Sequence, residues 1–238
     1  MSKARGTGHE KDPVGANCRD GEIVRRLLEW YEHNGRRFPW REGKLQPWQV
    51  LVVEILLQQT SADRVSRFVP GFFAEYGTLD ALLRVDQGLL AGRLASLGLY
   101  RRRSKTLHAL AAALVFRKGK VPNSKEELQS LPGVGPYVAA GYLSVALNRA
   151  EPMVDVNMAR LVERLYGPRT LVDVRYDPHI NGIARRLIEL APRPNEFNWA
   201  VLDIGAIHCK ARSPRCDLCP LLNLCPYGER QLAERYPT

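Results

Sequence analysis

The chain has 238 residues, 45% of them hydrophobic, and its 35 Lys and Arg outnumber 25 Asp and Glu to give a net charge of +10 and a pI near 9.6. That apolar content excludes a disordered chain and suffices for one large or two small domains. The longest apolar runs, 51–57 and 138–147, are too short and too interrupted to span a bilayer, which excludes a membrane role.

The positive charge favours nucleic acid as partner, because clustered cations gain affinity by releasing counterions condensed on phosphates; a generally basic surface is the alternative. Residues 1–19 are polar and lack the apolar core of a signal peptide, so they are expected to form a flexible tail on a cytoplasmic, nucleoid-associated protein. Apolar residues then recur at helical spacing over 21–34, 47–59, 61–76, 78–85, 86–97 and 101–117. The pattern continues over 124–131, 137–147, 157–166, 180–190 and 194–207, with Pro and Gly at the breaks. Strand alternation is almost absent, so the expected fold class is all-α.

Polar residues inside these patterns carry the candidate chemistry. Glu54 is set among Val50 to Leu57, and helical spacing puts it on one stripe with Gln58 and Ser61. An acid with such neighbours tends toward a raised pKa and suits a general acid; the alternative is the exposed stripe of an amphipathic helix. Between two helical patterns lies Leu131-Pro132-Gly133-Val134-Gly135-Pro136-Tyr137. Its glycines permit positive φ and close backbone approach to a phosphate, with the next helix aiming free N–H groups at it, unless it is a plain Pro-Gly turn. Asp155 precedes the 157–166 pattern, where it could cap the helix or oppose positive charge developing on a deoxyribose as its base departs.

Four of the five cysteines, Cys209, Cys216, Cys219 and Cys225, follow a C-x6-C-x2-C-x5-C spacing near the C-terminus; Cys18 lies in the expected tail as a bystander. In a cytosolic chain this reads as a metal site rather than disulfides. Four thiolates can hold zinc or a 4Fe-4S cluster, and the lack of two tight C-x2-C pairs favours the cluster. Lys210, Arg212 and Arg215 sit between the first two ligands, in a loop that suits either a phosphate contact or plain solvation.

As a set, Phe38-Pro39-Trp40-Arg41, Glu54-Ile55-Leu56-Leu57-Gln58-Gln59-Thr60, the Leu131 to Gly135 hairpin, Asp155 and the four ordered cysteines resemble the helix-hairpin-helix-GPD superfamily of DNA glycosylases, the endonuclease III relatives. Within it the likeness is to the branch of the adenine glycosylase MutY and the thymine mismatch glycosylase MIG, nearest to MIG, and covers about residues 21–227. The resemblance implies two helical lobes with DNA in the cleft between them. One is a six-helix barrel with the hairpin, residues 46–154; the other is an iron-sulfur domain of residues 20–45 plus 155–238. It implies Asp155 as catalytic aspartate and Glu54 as the acid that protonates the departing base. Gln58 and Gln59 fall where relatives fill the gap left by the flipped base, and Leu99 with Tyr100 falls on a second wedge loop.

Bifunctional relatives carry a lysine nucleophile at the position of Tyr137. A phenol forms no imine, so the resemblance implies a monofunctional enzyme that excises thymine or uracil opposite guanine and leaves an abasic site. The chain's end soon after the cysteines, with no room for a domain recognising 8-oxoguanine, points the same way. Gln58-Gln59-Thr60 looks more like the adenine branch, which keeps adenine excision opposite guanine or 8-oxoguanine open. A non-catalytic mismatch-binding module and a zinc-stabilised DNA-binding protein are the remaining readings. The expected partner is mismatched double-stranded DNA, engaged by a monomer with a 4Fe-4S cluster and no membrane.

Overall fold

The computed structural model describes residues 13–42 and 45–235, and side chains from Cys18 onward. Its helices are α1 (Pro13–Asn34), α2 (Pro47–Leu57), α3 (Ala62–Glu75), α4 (Leu79–Arg84), α5 (Gln87–Leu94), α6 (Tyr100–Phe116), α7 (Lys125–Gln129), α8 (Pro136–Leu147), α9 (Val156–Tyr166), α10 (Pro178–Glu189), α11 (Pro194–Ile207) and α12 (Pro226–Arg235). Among the described residues there is no strand, as the sequence pattern implies, and no helix is long and apolar enough to cross a membrane.

Start signals are local. Proline opens α2, α8, α10 and α11, where its missing N–H costs no bond, and Asp86, Asp155 and Asp177 cap the helices that follow them. These helices enclose two hydrophobic cores. In the first, α2 and α8 are apolar on nearly every face and so lie at the centre, wrapped by α3 to α6 and closed by Phe38, Trp40 and the 131–135 hairpin. In the second, α1, α9, α10 and α11 turn apolar stripes inward, with Phe197 and Ile204 fully buried. Buried Asn198 of α11 joins them: its amide donates to Ser144 Oγ of α8 at 2.9 Å and accepts from Met153 N–H at 3.0 Å.

Three segments differ from expectation. Helix α1 begins at Pro13, so residues 13–19 are not tail; residues 1–12 lie outside the described residues. Its start docks through polar anchors the apolar pattern does not register: Arg19 donates to the carbonyls of Leu165 and Leu224, while buried Asp20 takes Tyr166 Oη at 2.6 Å and pairs with Arg186. Cys18 is exposed on this helix. Helix α2 stops at Leu57 rather than Gln59: Gln58 leaves helical geometry with ψ 118°, and Gln59 follows with a left-handed φ of 55°. Helix α12 was not expected, being polar along its length; it docks through buried Gly228 and through Tyr227, over whose ring Arg164 lies at 4.2 Å.

Candidate active site

A groove of about 700 Å³ runs along the end of α2, the Gly98–Leu99 turn and the hairpin. Gln58, Gln59, Leu99, Gly133, Gly135 and Tyr137 line it, and Gln58 Nε2 reaches the Gly133 carbonyl at 3.4 Å. Leu131 and Val134 also border it, but at 4% and 5% exposure their side chains belong to the core. Gly133 is required: its φ is 80°, and a Cβ would sit 2.3 Å from Thr106 Cγ2. Gly135 has ordinary φ and open space at the N-cap of α8, so of the two hairpin glycines expected to need positive φ only Gly133 does; Gly135 leaves room for a close ligand. Tyr100 is exposed at the start of α6 without lining the groove, and Lys210, Arg212 and Arg215 are exposed on the separate 210–215 loop.

A residue that sequence reasoning missed shapes the groove's lip. Arg103, 4% exposed, donates to the carbonyls of Leu56, Gln58, Leu97 and Gly98 and to Thr60 Oγ1. One guanidinium thus ties the Gln58–Gln59 turn to the Gly98–Leu99 turn. Gln59 and Leu99 both hold left-handed φ, at 55° and 50°, a strain that non-glycine residues carry only where the surroundings impose it.

The two acids lie near Tyr137, which lines the groove. Glu54 is 3% exposed, so the exposed-stripe reading is wrong; α2 is buried all round. Its Oε2 has no hydrogen-bond partner, and it rests on α8 at Gly141, where a Cβ would lie 2.8 Å from Glu54 Cδ. Burial pushes its pKa up to about 7, against the opposing pull of Arg41. Tyr137 is raised far above the usual tyrosine range by burial and by the nearby charges of Glu54 and Asp155, so its phenol stays neutral.

Asp155 is an N-cap in fact: Oδ1 accepts from Asn157 N–H at 2.8 Å and Met158 N–H at 2.9 Å, and Oδ2 from Asn157 Nδ2 at 2.7 Å. Burial raises its pKa, and these bonds work against the rise. Asn157 Oδ1 in turn accepts from Arg160 Nη2 at 2.7 Å, and Arg160 reaches the carbonyls of Cys209 at 2.6 Å and Gly205 at 3.1 Å. The carboxylate is therefore wired to the cysteine segment. Gly205 makes that possible, since a Cβ there would lie 2.7 Å from Asn157 Cβ. Glycines inside otherwise apolar helical patterns at 141 and 205 were the legible signal for both close approaches.

Arg41, quoted only as part of a motif, also belongs here. It forms a bidentate pair with fully buried Asp203, at 2.7 and 3.1 Å, and its buried Nε has no partner. Its guanidinium lies 4.9 Å over Phe38 and 5.3 Å over Trp199.

All four expected cysteines line one small cavity with Leu161, Leu165, Leu221 and Leu222. Among the described residues no three His, Cys, Asp or Glu converge tightly enough for a single metal ion. Arg164 Nη1 lies 3.1 Å from Cys209 Sγ and Gly228 N–H 3.4 Å from Cys225 Sγ, donors placed as bound thiolates need them.

A glycine hairpin and basic loop suit a phosphate chain, and a near-neutral acid beside an ordered aspartate suits breaking a bond to a sugar; the class defined is an enzyme that works on nucleic acid. Residues 52–175 match the HhH-GPD superfamily of base excision DNA repair proteins, and residues 209–225 the iron-sulfur binding domain of endonuclease III. The chain is 37% identical to the thymine-DNA glycosylase of Aeropyrum pernix over 86% of this chain and 93% of that protein. It is 36% identical to the adenine DNA glycosylase of Mycobacterium tuberculosis over 82% of this chain, and spans 64% of that protein's length. The solved structure of a thermostable thymine-DNA glycosylase superposes with a TM-score of 0.83 at 29% identity, over 91% of this chain and 99% of that one. The chain belongs to the HhH-GPD superfamily and to its class of DNA glycosylases.

Proposed function

We propose that the chain is a monofunctional mismatch glycosylase that hydrolyses the N-glycosidic bond of thymine or uracil opposite guanine. The carrying observation is the neutral phenol of Tyr137 lining the groove near Glu54 and Asp155, at the position where a lysine amine would form an imine. The hairpin and the 210–215 loop hold the backbone. Residues 46–154 and 20–45 plus 155–238 act as two lobes, and the target nucleotide rotates between them as Gln58 and Leu99 enter the stack. A mispaired base costs less to extrude. Glu54, whose raised pKa of about 7 leaves a substantial protonated fraction near neutral pH, gives a proton to a carbonyl oxygen of the departing pyrimidine. Asp155 opposes the positive charge that builds on the sugar, and water adds at C1′ to leave an abasic site. Tyr137 packs against the base.

Cys209, Cys216, Cys219 and Cys225 would hold a 4Fe-4S cluster, which supplies a covalent crosslink that shapes the 210–215 loop. Iron and acid-labile sulfide in stoichiometric amounts are expected in the purified protein; zinc in their place would sink this assignment.

Adenine excision is the second reading, favoured by Gln58-Gln59-Thr60 and by the adenine glycosylase relatives. Base release from duplexes with G·T, G·U, A·G and A·8-oxoguanine pairs separates the two. Release of thymine or uracil, with strand breakage only after alkali, is expected; adenine release alone overturns the substrate, and release of nothing leaves a binding module. Tyr137→Lys should bring in strand cleavage without alkali, and unchanged product chemistry would remove Tyr137 from the reaction centre.

A further inference from the structure

The connection 167–177 between α9 and α10 is pinned beneath and bare above. Val174 is buried in the second core. The fully buried Asp177 carboxylate accepts from the N–H groups of Thr170, Leu171 and Ile180 and from the Thr170 hydroxyl. Burial would raise its pKa, but these bonds outweigh burial and hold the carboxyl well below the usual range. Asn181 Nδ2 donates to the carbonyls of Val174, Arg175 and Asp177. On this fixed frame Leu171, Val172 and Tyr176 are 47%, 93% and 62% exposed. Apolar side chains grouped on an ordered backbone mark a contact surface.

Arg175 says what the contact is. It lines the same groove as Gln58, Gln59 and Leu99, and also a neighbouring pocket of about 100 Å³ with Lys125, Arg185 and Tyr137. Three cations there stand against two carboxylates, Glu151 and Asp173, so the potential is positive. Asp173 engages Arg175 through Nε at 2.9 Å and Nη2 at 2.6 Å, which fixes the fork and leaves its Nη1 edge for another acceptor. The Arg175 guanidinium lies 5.6 Å from the Tyr176 ring centroid.

We propose that this connection is a further clamp on the DNA strand: Arg175 binds a backbone phosphate beside the flipped nucleotide, and Val172 and Tyr176 lie on the adjoining deoxyribose. The clamp rests on the reading of the groove as the DNA site. It divides labour as DNA interfaces do, with charge on phosphate and apolar surface on sugar, and adds no sequence preference.

The test is binding of the full chain to a duplex carrying a tetrahydrofuran abasic analogue opposite guanine, by fluorescence anisotropy over a salt series. Arg175→Gln should weaken binding about three- to tenfold and lower the slope of log Kd against log salt by about 1. Arg175→Lys, which keeps the charge, should recover the slope. Val172→Ser combined with Tyr176→Ser should weaken binding with the slope unchanged. All three side chains are exposed, so melting temperatures should stay at the parental value. Parental affinity and slope in Arg175→Gln overturns the clamp and leaves the apolar patch as a protein-docking surface. Failure of the parental protein to bind this duplex or a G·T duplex overturns instead the reading of the groove, and the clamp with it.

Discussion

Glu54 and Asp155 are two buried carboxylates near Tyr137 with different hydrogen-bond surroundings. Glu54 stands in a packed core with a bare oxygen and a pKa near 7, whereas Asp155 is tied by three hydrogen bonds at a helix start. Burial raises both pKa values, but only at Asp155 do hydrogen bonds to the carboxylate oppose the rise, so under the proposed mechanism Glu54 is the group that keeps a proton to give.

The sharpest way to break that contrast is Asp155→Asn. Asparagine caps a helix as well as aspartate does, so folding and mispair binding should persist while base release falls about 10³-fold in single-turnover measurements. Release at the parental rate would put the reaction centre elsewhere. Glu54→Gln should slow release about 100-fold and remove the alkaline limb that the parental rate should show near pH 7. The folded state favours protonated Glu54, so its stability falls as pH climbs from 4.5 toward 7 and stays reduced above. Glu54→Gln should therefore gain on the order of 2 kcal/mol over the parent at pH 8, and little at pH 4, in denaturant titrations.

Arg103→Met tests the lip rather than the acids. It strands buried carbonyls and frees the Gln58–Gln59 and Gly98–Leu99 turns, so a loss of about 2–3 kcal/mol in stability and roughly tenfold weaker mispair binding are expected. Parental binding would show that these turns hold without the tie. The smallest expected effect belongs to Gly141→Ala, whose methyl meets the Glu54 carboxyl. A cost of about 1–2 kcal/mol and a displaced alkaline limb are expected, and an unmoved limb would separate Gly141 from the acid.

The sequence by itself determined the helical class, because the 3.6-residue period and the Pro, Gly and Asp punctuation are local properties of the chain. It also determined the ordered cysteines and both acids as candidates, since those rest on residue type and spacing. Only the tertiary structure decided that Glu54 is buried rather than exposed, because burial depends on what packs against every face of α2. Arg103, Arg41 and the Asn157–Arg160 link were hidden for the same reason. Arg41, Arg103 and Arg160 each reach acceptors far along the chain, and a basic residue reads as surface until those acceptors are in place. The start of α1 and the whole of α12 were missed because polar anchors, not apolar stripes, dock them.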